Sequence, residues 1–312
     1  MVGMEQKLKI LIPGGTGLIG HALSKALVED GHAVWVLTRS PGKAQLPVGV
    51  KSAAWDGKSA QGWGDLAGEA DAIINLTGAT LARWPWTEAY KKTIRSSRVN
   101  PGRAIVEAVR AAPRKPSVVI QIAGTGYYGN QGDRVLDESA AKGNDFLARV
   151  GDDWESAVRP VQEMGVRYVV LRTAPVIAQE GGLLPPFKFQ HSLFAGGPLG
   201  SGGQYIPWIH LSDLVQVFRF LLARSDAEGV YNVAAPEALT NADFQRTVAR
   251  VMRRPYWLPA PAFALRLVLG EMSVVVLEGQ RVLPKRLQEM GFQFKYDRLL
   301  PALEDALGKK TA

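Results

Sequence analysis

Strand-like and helix-like segments alternate through the first half of this 312-residue sequence, a glycine-rich turn follows the first strand, and the texture changes after Arg172. Together these features predict an α/β fold, a Rossmann-type doubly wound parallel sheet with a smaller, partly helical C-terminal lobe. The elements follow in order. Residues 9–12 form a short β-rich run, and 20–30 show a helical period stopped by Gly31. Residues 33–38 (AVWVLT), 52–55, 72–76 and 118–122 read as further strands, with helices over 87–98 and 103–112 between the last two. After Asn144 a helical pattern runs through Trp154 and Val161 to a sixth strand at 168–171.

Beyond Arg172, residues 175–203 are rich in Gly and Pro and include Pro185-Pro186, which predicts a loop-dominated cover over the carboxyl ends of the strands. A helix at 211–223 and a strand at 229–233 return the chain to the sheet, and from Asn241 onward the pattern is mainly helical. The predicted division is therefore 1–171 plus 210–235 as a dinucleotide-binding domain, with 172–209 plus 236–312 as a substrate lobe.

Composition excludes several classes of chemistry. Without cysteine, disulfides, thiolate catalysis and zinc-thiolate sites are ruled out, and His21, His32, His191 and His210 show no metal-ligand spacing, so no metal is expected. The 37 Lys+Arg against 29 Asp+Glu give a net charge of +8, but the bases are scattered. The pairs Lys91-Lys92, Arg253-Arg254 and Lys309-Lys310 read as solvated helix ends or termini, and no nucleic-acid reader motif accompanies them. A phosphate-bearing small molecule suits this mild excess better than nucleic acid. The opening MVGMEQKLKI lacks the apolar core of a signal peptide, and residues 263–277 are interrupted by Arg266 and Glu271 and too short to span a bilayer. A cytoplasmic protein with no membrane partner is expected, and its oligomeric state is open.

The segment ILIPGGTGLIG places Gly14, Gly17 and Gly20 in a G-x-x-G-x-x-G spacing, with Gly15, Thr16, Leu18 and Ile19 completing the turn between strand and helix. Glycine there allows a tight turn and lets backbone N–H groups approach a pyrophosphate at the positive end of a helix. The next strand ends in Thr38-Arg39-Ser40, with Lys43 close behind, where an acidic residue would bind the ribose hydroxyls of NAD. Arg39 can instead pair with a 2′-phosphate and Ser40 can add a hydroxyl donor, which favours NADP(H).

These residues resemble the extended short-chain dehydrogenase/reductase superfamily, the branch that includes nucleotide-sugar epimerases, over nearly the whole chain. Asn75-Leu76-Thr77-Gly78 resembles the turn ending its fourth strand, which implies a place under the adenine and ribose. Arg98-Val99-Asn100 resembles its helix with a buried asparagine, Tyr127-Tyr128-Gly129 its strand end facing the nicotinamide, and Ile209-His210-Leu211-Ser212-Asp213 its return to the sheet. The motifs RWPWTEAYKKTIRSSRV, GTGYYG, DFLARVGDDWE, GGQYIPWIHLSDL and GQRVLPKRLQEMGFQFKY are similar to an epimerase-family branch grouped with NADP-dependent oxidoreductases, some of whose members carry a cell-division-inhibitor label.

Superfamily chemistry uses a serine or threonine with a Tyr-x-x-x-Lys on the following helix, the lysine lowering the pKa of the tyrosine. Here alignment on Trp154-Glu155 puts Leu147 and Gly151 at that pair, and the serine position offers only Thr125. Tyr127 and Tyr128 are the candidate proton donors with Thr125 as a second donor, or both rings are packing residues. Arg83, Arg95, Trp208 and His210 are candidate substrate contacts. Arg98 could also orient an anion or be an ion-pair residue, and His210 in this context reads more readily as a cap or anchor before the following helix than as a group titrating near neutrality. Trp84, Trp86, Tyr205 and Trp208 suggest an aromatic-lined pocket or separate core aromatics. The resemblance implies an NADP(H)-dependent oxidoreductase acting on an unknown small carbonyl or alcohol. The alternatives are a non-catalytic NADP(H)-binding regulator, for instance in cell division, and a nucleotide-sugar epimerase.

Overall fold

The computed structural model describes residues 7–309, so residues 1–6 of the opening segment and Lys310 of the Lys309-Lys310 pair lie outside the described residues. Seven strands form one parallel sheet: β1 Lys9–Pro13, β2 Ala33–Thr38, β3 Lys51–Ala54, β4 Ala72–Asn75, β5 Val118–Gly124, β6 Arg167–Thr173 and β7 Gly229–Val233. Their order is β7-β6-β5-β4-β1-β2-β3, with every neighbouring pair parallel. The order reverses between β1 and β4, which opens a crevice at the carboxyl ends of those strands. Continuous apolar runs such as VVIQIAG suit strands covered on both faces, and all of β5 but its last residue is buried.

The helices are α1 Leu18–Glu29, α2 Gly64–Glu69, α3 Glu88–Ala111, α4 Phe146–Ser156, α5 Leu184–Ser192, α6 Leu211–Ala223, α7 Asn241–Met252, α8 Ala262–Leu269 and α9 Leu299–Leu307, with two shorter helices at Val274–Leu277 and Lys285–Glu289. Two of them correct the sequence reading. The separate helices expected over 87–98 and 103–112 are one 24-residue α3 that runs through Pro101. An interior proline costs about 3 kcal/mol, yet Ile94, Val99, Ile105 and Val109 on one buried face carry the helix past it. In the segment expected to be loop-dominated, α5 begins with Leu184-Pro185-Pro186, and prolines in a first turn lose no helical hydrogen bond.

The main core lies around the sheet, while Ile177, Leu184, Phe187, Trp208, Phe244 and Leu303 form a second core in the lobe. The C-terminal segment is divided between them. Arg281–Val282 pairs in parallel with Val135–Leu136, and Val282, Leu287 and Phe292 join the main core. Among the described residues no helix is long and apolar enough to cross a membrane.

Candidate cofactor and active site

The glycine turn divides into glycines that the fold requires and one that it does not. Gly14 has φ +79°, and a Cβ there would lie 2.9 Å from the Leu76 carbonyl carbon and the Thr77 nitrogen. A Cβ on Gly15 would meet Val36 at 2.6 Å, and one on Gly20 the Gly15 Cα at 2.4 Å. These positions pack β1, β2, β4 and α1 together. A Cβ on Gly17 would find only the Gly14 carbonyl oxygen at 3.8 Å. Gly17 is also the N-cap of α1, with no capping side chain and no acidic residue in the first turn, so the open helix end is electropositive.

In front of this turn lies a cleft of about 660 Å³ lined by Thr16, Gly17, Leu18, Ser40, Lys43 and Glu180, among others. Thr16, Gly17 and Leu18 face solvent there, whereas Ile19 packs against the core. Arg39 and Ser40 are exposed at the end of β2, and Arg39 has no ion-pair partner among the described residues. The end of β2 carries no carboxylate.

The β4 turn is held from within. Asn75 is fully buried, donates to Gln121 Oε1 at 2.7 Å, and accepts from the Thr77 hydroxyl at 2.7 Å and the Thr77 amide at 3.2 Å. The Leu76 amide donates to Pro13 O, joining this turn to β1. Beneath Gly78 lies the Arg98 guanidinium, 3.3 Å from where a Cβ would stand and 4.6 Å over the Trp154 ring. Burial pulls the pKa of Arg98 down to about 10.

At the end of β5, residues Thr125–Tyr128 make a single 3-10 turn that rests on α4. Leu147 lies under Gly126, where a Cβ would be 3.4 Å from the Leu147 Cβ, and a Cβ on Gly151 would stand 3.2 Å from the Tyr127 Cα. The helix thus offers an aliphatic chain and a bare backbone at this turn. The cation comes from β6 instead. Arg172 lies flat under Tyr127 with its Cζ 3.4 Å from the ring centroid, and it donates to both Glu155 oxygens at 2.8 and 2.9 Å. Its third contact is the Tyr128 hydroxyl at 3.1 Å. Burial opposes its charge, but the Glu155 carboxylate more than offsets this and holds the Arg172 pKa above its ordinary value.

Tyr128 and Tyr127 separate into two roles. The Tyr128 ring is fully buried, and its hydroxyl donates to Asn232 Oδ1 at 2.6 Å while Asn232 Nδ2 donates to Leu136 O and Leu283 O. Burial raises its pKa to about 12. As a proton donor to an outside substrate Tyr128 is corrected: its hydroxyl is enclosed in the core. Tyr127 is half-buried and stacked edge-on against Tyr128, and Thr125 is buried beside it.

Three of the proposed substrate contacts are also corrected. Arg95 is exposed and paired with Asp153 at 2.6 Å, facing a groove between α3 and α4 that holds none of the Thr125–Tyr128 turn. Trp208 is fully buried in the lobe core, its indole donating to Glu237 O at 3.1 Å. His210 caps α6 through the Ser212 amide, stacks on Tyr296 and lies 3.3 Å from Asp305. Burial lowers its pKa. Arg83 remains exposed, over the Tyr90 ring at 4.8 Å. The aromatic pocket resolves into separate places: Trp86 packs with Phe146, Trp84 is 58% exposed, Tyr205 pairs in a short strand with Thr240, and Trp208 is core. The sequence reading missed Glu155, Arg172 and Asn232. Its available signal was a charged residue within the apolar run YVVLRT.

The profile of the NAD dependent epimerase/dehydratase family matches residues 10–234. The chain belongs to this family. A second profile, described as Domain of unknown function (DUF1731), matches residues 260–306. Within the family, the chain is 36% identical over 302 residues to the chloroplastic epimerase family protein SDR39U1 homolog of Arabidopsis thaliana, covering 96% of this chain and 86% of that protein. It is 35% identical over 307 residues to an epimerase family protein of Mycobacterium leprae, covering 98% of each. Among solved structures, human epimerase family protein SDR39U1 with NADPH superimposes with a TM-score of 0.85 at 31% identity, covering 96% of this chain and 99% of that one. The family fold is therefore an NAD(P)-dependent dehydrogenase/reductase sheet, and its C-terminal strand ends carry the groups described above.

Proposed function

We propose that this protein is an NADP(H)-dependent oxidoreductase that reduces a small carbonyl compound, with Tyr127 as proton donor. The preference for the phosphorylated cofactor is supported by Arg39, Ser40 and Lys43 at a strand end without a carboxylate, and by the NADPH in the human relative's crystal structure. The site fits such a cofactor: the Gly17 Cα faces open space, the α1 amides are uncapped, and the cleft in front of them is large enough for a nucleotide moiety. When bound, the cofactor supplies hydride exchange. The chain contributes the cradle at Gly14–Gly17, a cationic grip on the 2′-phosphate, and a proton from the Tyr127 hydroxyl to the oxygen of the reduced carbonyl. The Arg172–Tyr127 stack is the observation that carries this reading. A fixed cation against the ring holds the phenol in one orientation.

The test is a panel of aldehydes and ketones followed by NADPH oxidation, repeated with Tyr127→Phe. Turnover that disappears in Tyr127→Phe while NADPH binding persists supports the assignment, and unchanged turnover removes it. A second reading, an NADP(H)-binding regulator without turnover, is favoured by one observation: α4 offers Leu147 and Gly151 to the strand-end turn instead of a tyrosine and a lysine. A panel without turnover, together with a partner whose association depends on NADPH, selects it.

A further inference from the structure

The lobe exposes an apolar face that the cofactor chemistry does not use. Helix α8, AFALRLVL, is apolar at every position but Arg266 and buries none of its residues. Phe263 is 73% exposed and Leu267 85%. An isolated helix of this composition in water leaves most of its hydrophobic free energy unrealised. It is also not alone. Phe189 and Leu193 on and after α5, Phe194, and Trp257 are exposed as well. Trp257 is tied to the α5 end, its indole donating to Phe194 O at 2.8 Å and its amide to Gly196 O. Helices α5 and α8 flank a common apolar cleft of about 500 Å³, which Phe187, Leu199, Leu258, Leu265 and Val276 line with Gln190 as its polar member. Trp84 extends the face, its indole donating to Val268 O at 2.9 Å.

Phe194 adds a conformational sign. It has φ +59°, a left-handed conformation that bulky residues rarely adopt, and the ring it presents is half exposed. Folding alone would favour glycine there.

Basic residues dominate this face, and two of the carboxylates that border it in sequence, Asp243 and Glu271, are paired with Arg246 and Lys91. Residues 181–212 and 244–270 contain Lys188, Arg246, Arg250, Arg253, Arg254 and Arg266 and no Asp or Glu. Lys188 sits between Phe187 and Phe189, and the Arg254 guanidinium lies 4.7 Å over the Phe194 ring. Large apolar side chains interleaved with arginine and lysine are the composition of segments that lie in a bilayer interface. Two copies of the face would bring like charges together, which disfavours self-association through it.

We propose that this face of the lobe docks on an anionic lipid bilayer. Phe189, Phe194, Trp257, Phe263 and Leu267 enter the headgroup layer, and Lys188, Arg253, Arg254 and Arg266 meet lipid phosphates. The sequence reading of no membrane partner rested on the lack of a spanning segment, and docking on a surface requires none.

The full chain should be sedimented with vesicles of phosphatidylcholine, with and without phosphatidylglycerol, at low and high salt. Binding is expected only with phosphatidylglycerol and should weaken as salt rises. Phe263→Ser/Leu267→Ser and Lys188→Glu/Arg254→Glu should each bind at least about tenfold more weakly, since one basic contact near an anionic surface accounts for roughly fivefold, each variant changes two side chains, and the first removes apolar area from the headgroup layer. NADPH affinity, measured on the same preparations, should stay at the wild-type value and shows that each variant is folded. Equal binding to both vesicle types, or none to either, overturns the proposal. So does a dimer, seen by sedimentation velocity, that Phe263→Ser/Leu267→Ser dissolves in a chain that ignores vesicles.

Discussion

Arg172 lies 3.4 Å from the centre of the Tyr127 ring while its Nε and Nη2 reach the Glu155 carboxylate and its Nη1 the Tyr128 hydroxyl, so one buried guanidinium joins β6, α4 and the strand-end turn. The first expected outcome concerns this pair. Arg172→Met leaves Glu155 buried without its cation and should destabilise the protein by about 3–5 kcal/mol, whereas the double variant with Glu155→Gln should cost clearly less than the sum of the two single changes. Urea unfolding of the four proteins measures the coupling, and additive losses would show that the pair is not energetically joined.

The two adjacent tyrosines should divide stability from turnover. Tyr128→Phe removes a buried hydroxyl that bonds Asn232 and Arg172, and should cost about 1–3 kcal/mol in a thermal or urea melt. Tyr127→Phe should leave the melt nearly unchanged yet slow carbonyl reduction by roughly two to four powers of ten.

Cofactor choice should rest on the end of β2. Arg39→Ala is expected to weaken NADPH binding by about 1.5–3 kcal/mol and NADH binding hardly at all, as read by fluorescence titration. Equal losses for both cofactors would move the 2′-phosphate site elsewhere.

Glycines of the first turn should fail in different ways. Gly17→Val has room in the folded chain, so the variant should melt normally and lose NADPH. Gly20→Ala must place a Cβ only 2.4 Å from the Gly15 Cα and should lower the melting temperature itself.

Acid sensitivity should begin near neutrality. His191 and His210 both have pKa values lowered by burial, against the nearby Asp305 in the case of His210. In the unfolded chain they take up protons near pH 6.5, while the folded chain resists protonation until lower pH. Their stabilising contribution is therefore whole above about pH 6.5 and is lost as pH falls through the lowered folded values. His210→Asn keeps a capping oxygen and should flatten that decline between neutral pH and pH 5, measured by urea midpoints. An unchanged slope would assign the acid loss to His191 or to carboxylates.

The sheet was legible because its strands other than β3 (KSAA) are largely apolar runs between turn signals, and the glycine turn because its spacing follows a strand directly. The positions of Leu147 and Gly151 could be read because Trp154-Glu155 anchors the helix register. Side-chain roles were harder. Arg172, Glu155, Tyr128 and Asn232 are separated by tens of residues, and nothing local marks them as one buried network. Trp208 and His210 stand in a motif that looks functional, yet a tryptophan and a histidine serve equally well as core and cap, and only packing decides between them. Helix α5 was hidden by prolines that break a helix in its middle but not at its start.

The C-terminal segment that lays Val282, Leu287 and Phe292 against the sheet has a consequence for biosynthesis. The Asn232 amide beside Tyr128 finds one of its acceptors, Leu283 O, only in that late segment. While the ribosome is still making the last quarter of the protein, β7 is therefore uncovered and the Tyr128 network is incomplete. A message truncated before codon 281 would release not a smaller cofactor-binding module but a chain with an open sheet flank, a substrate for chaperones and proteases.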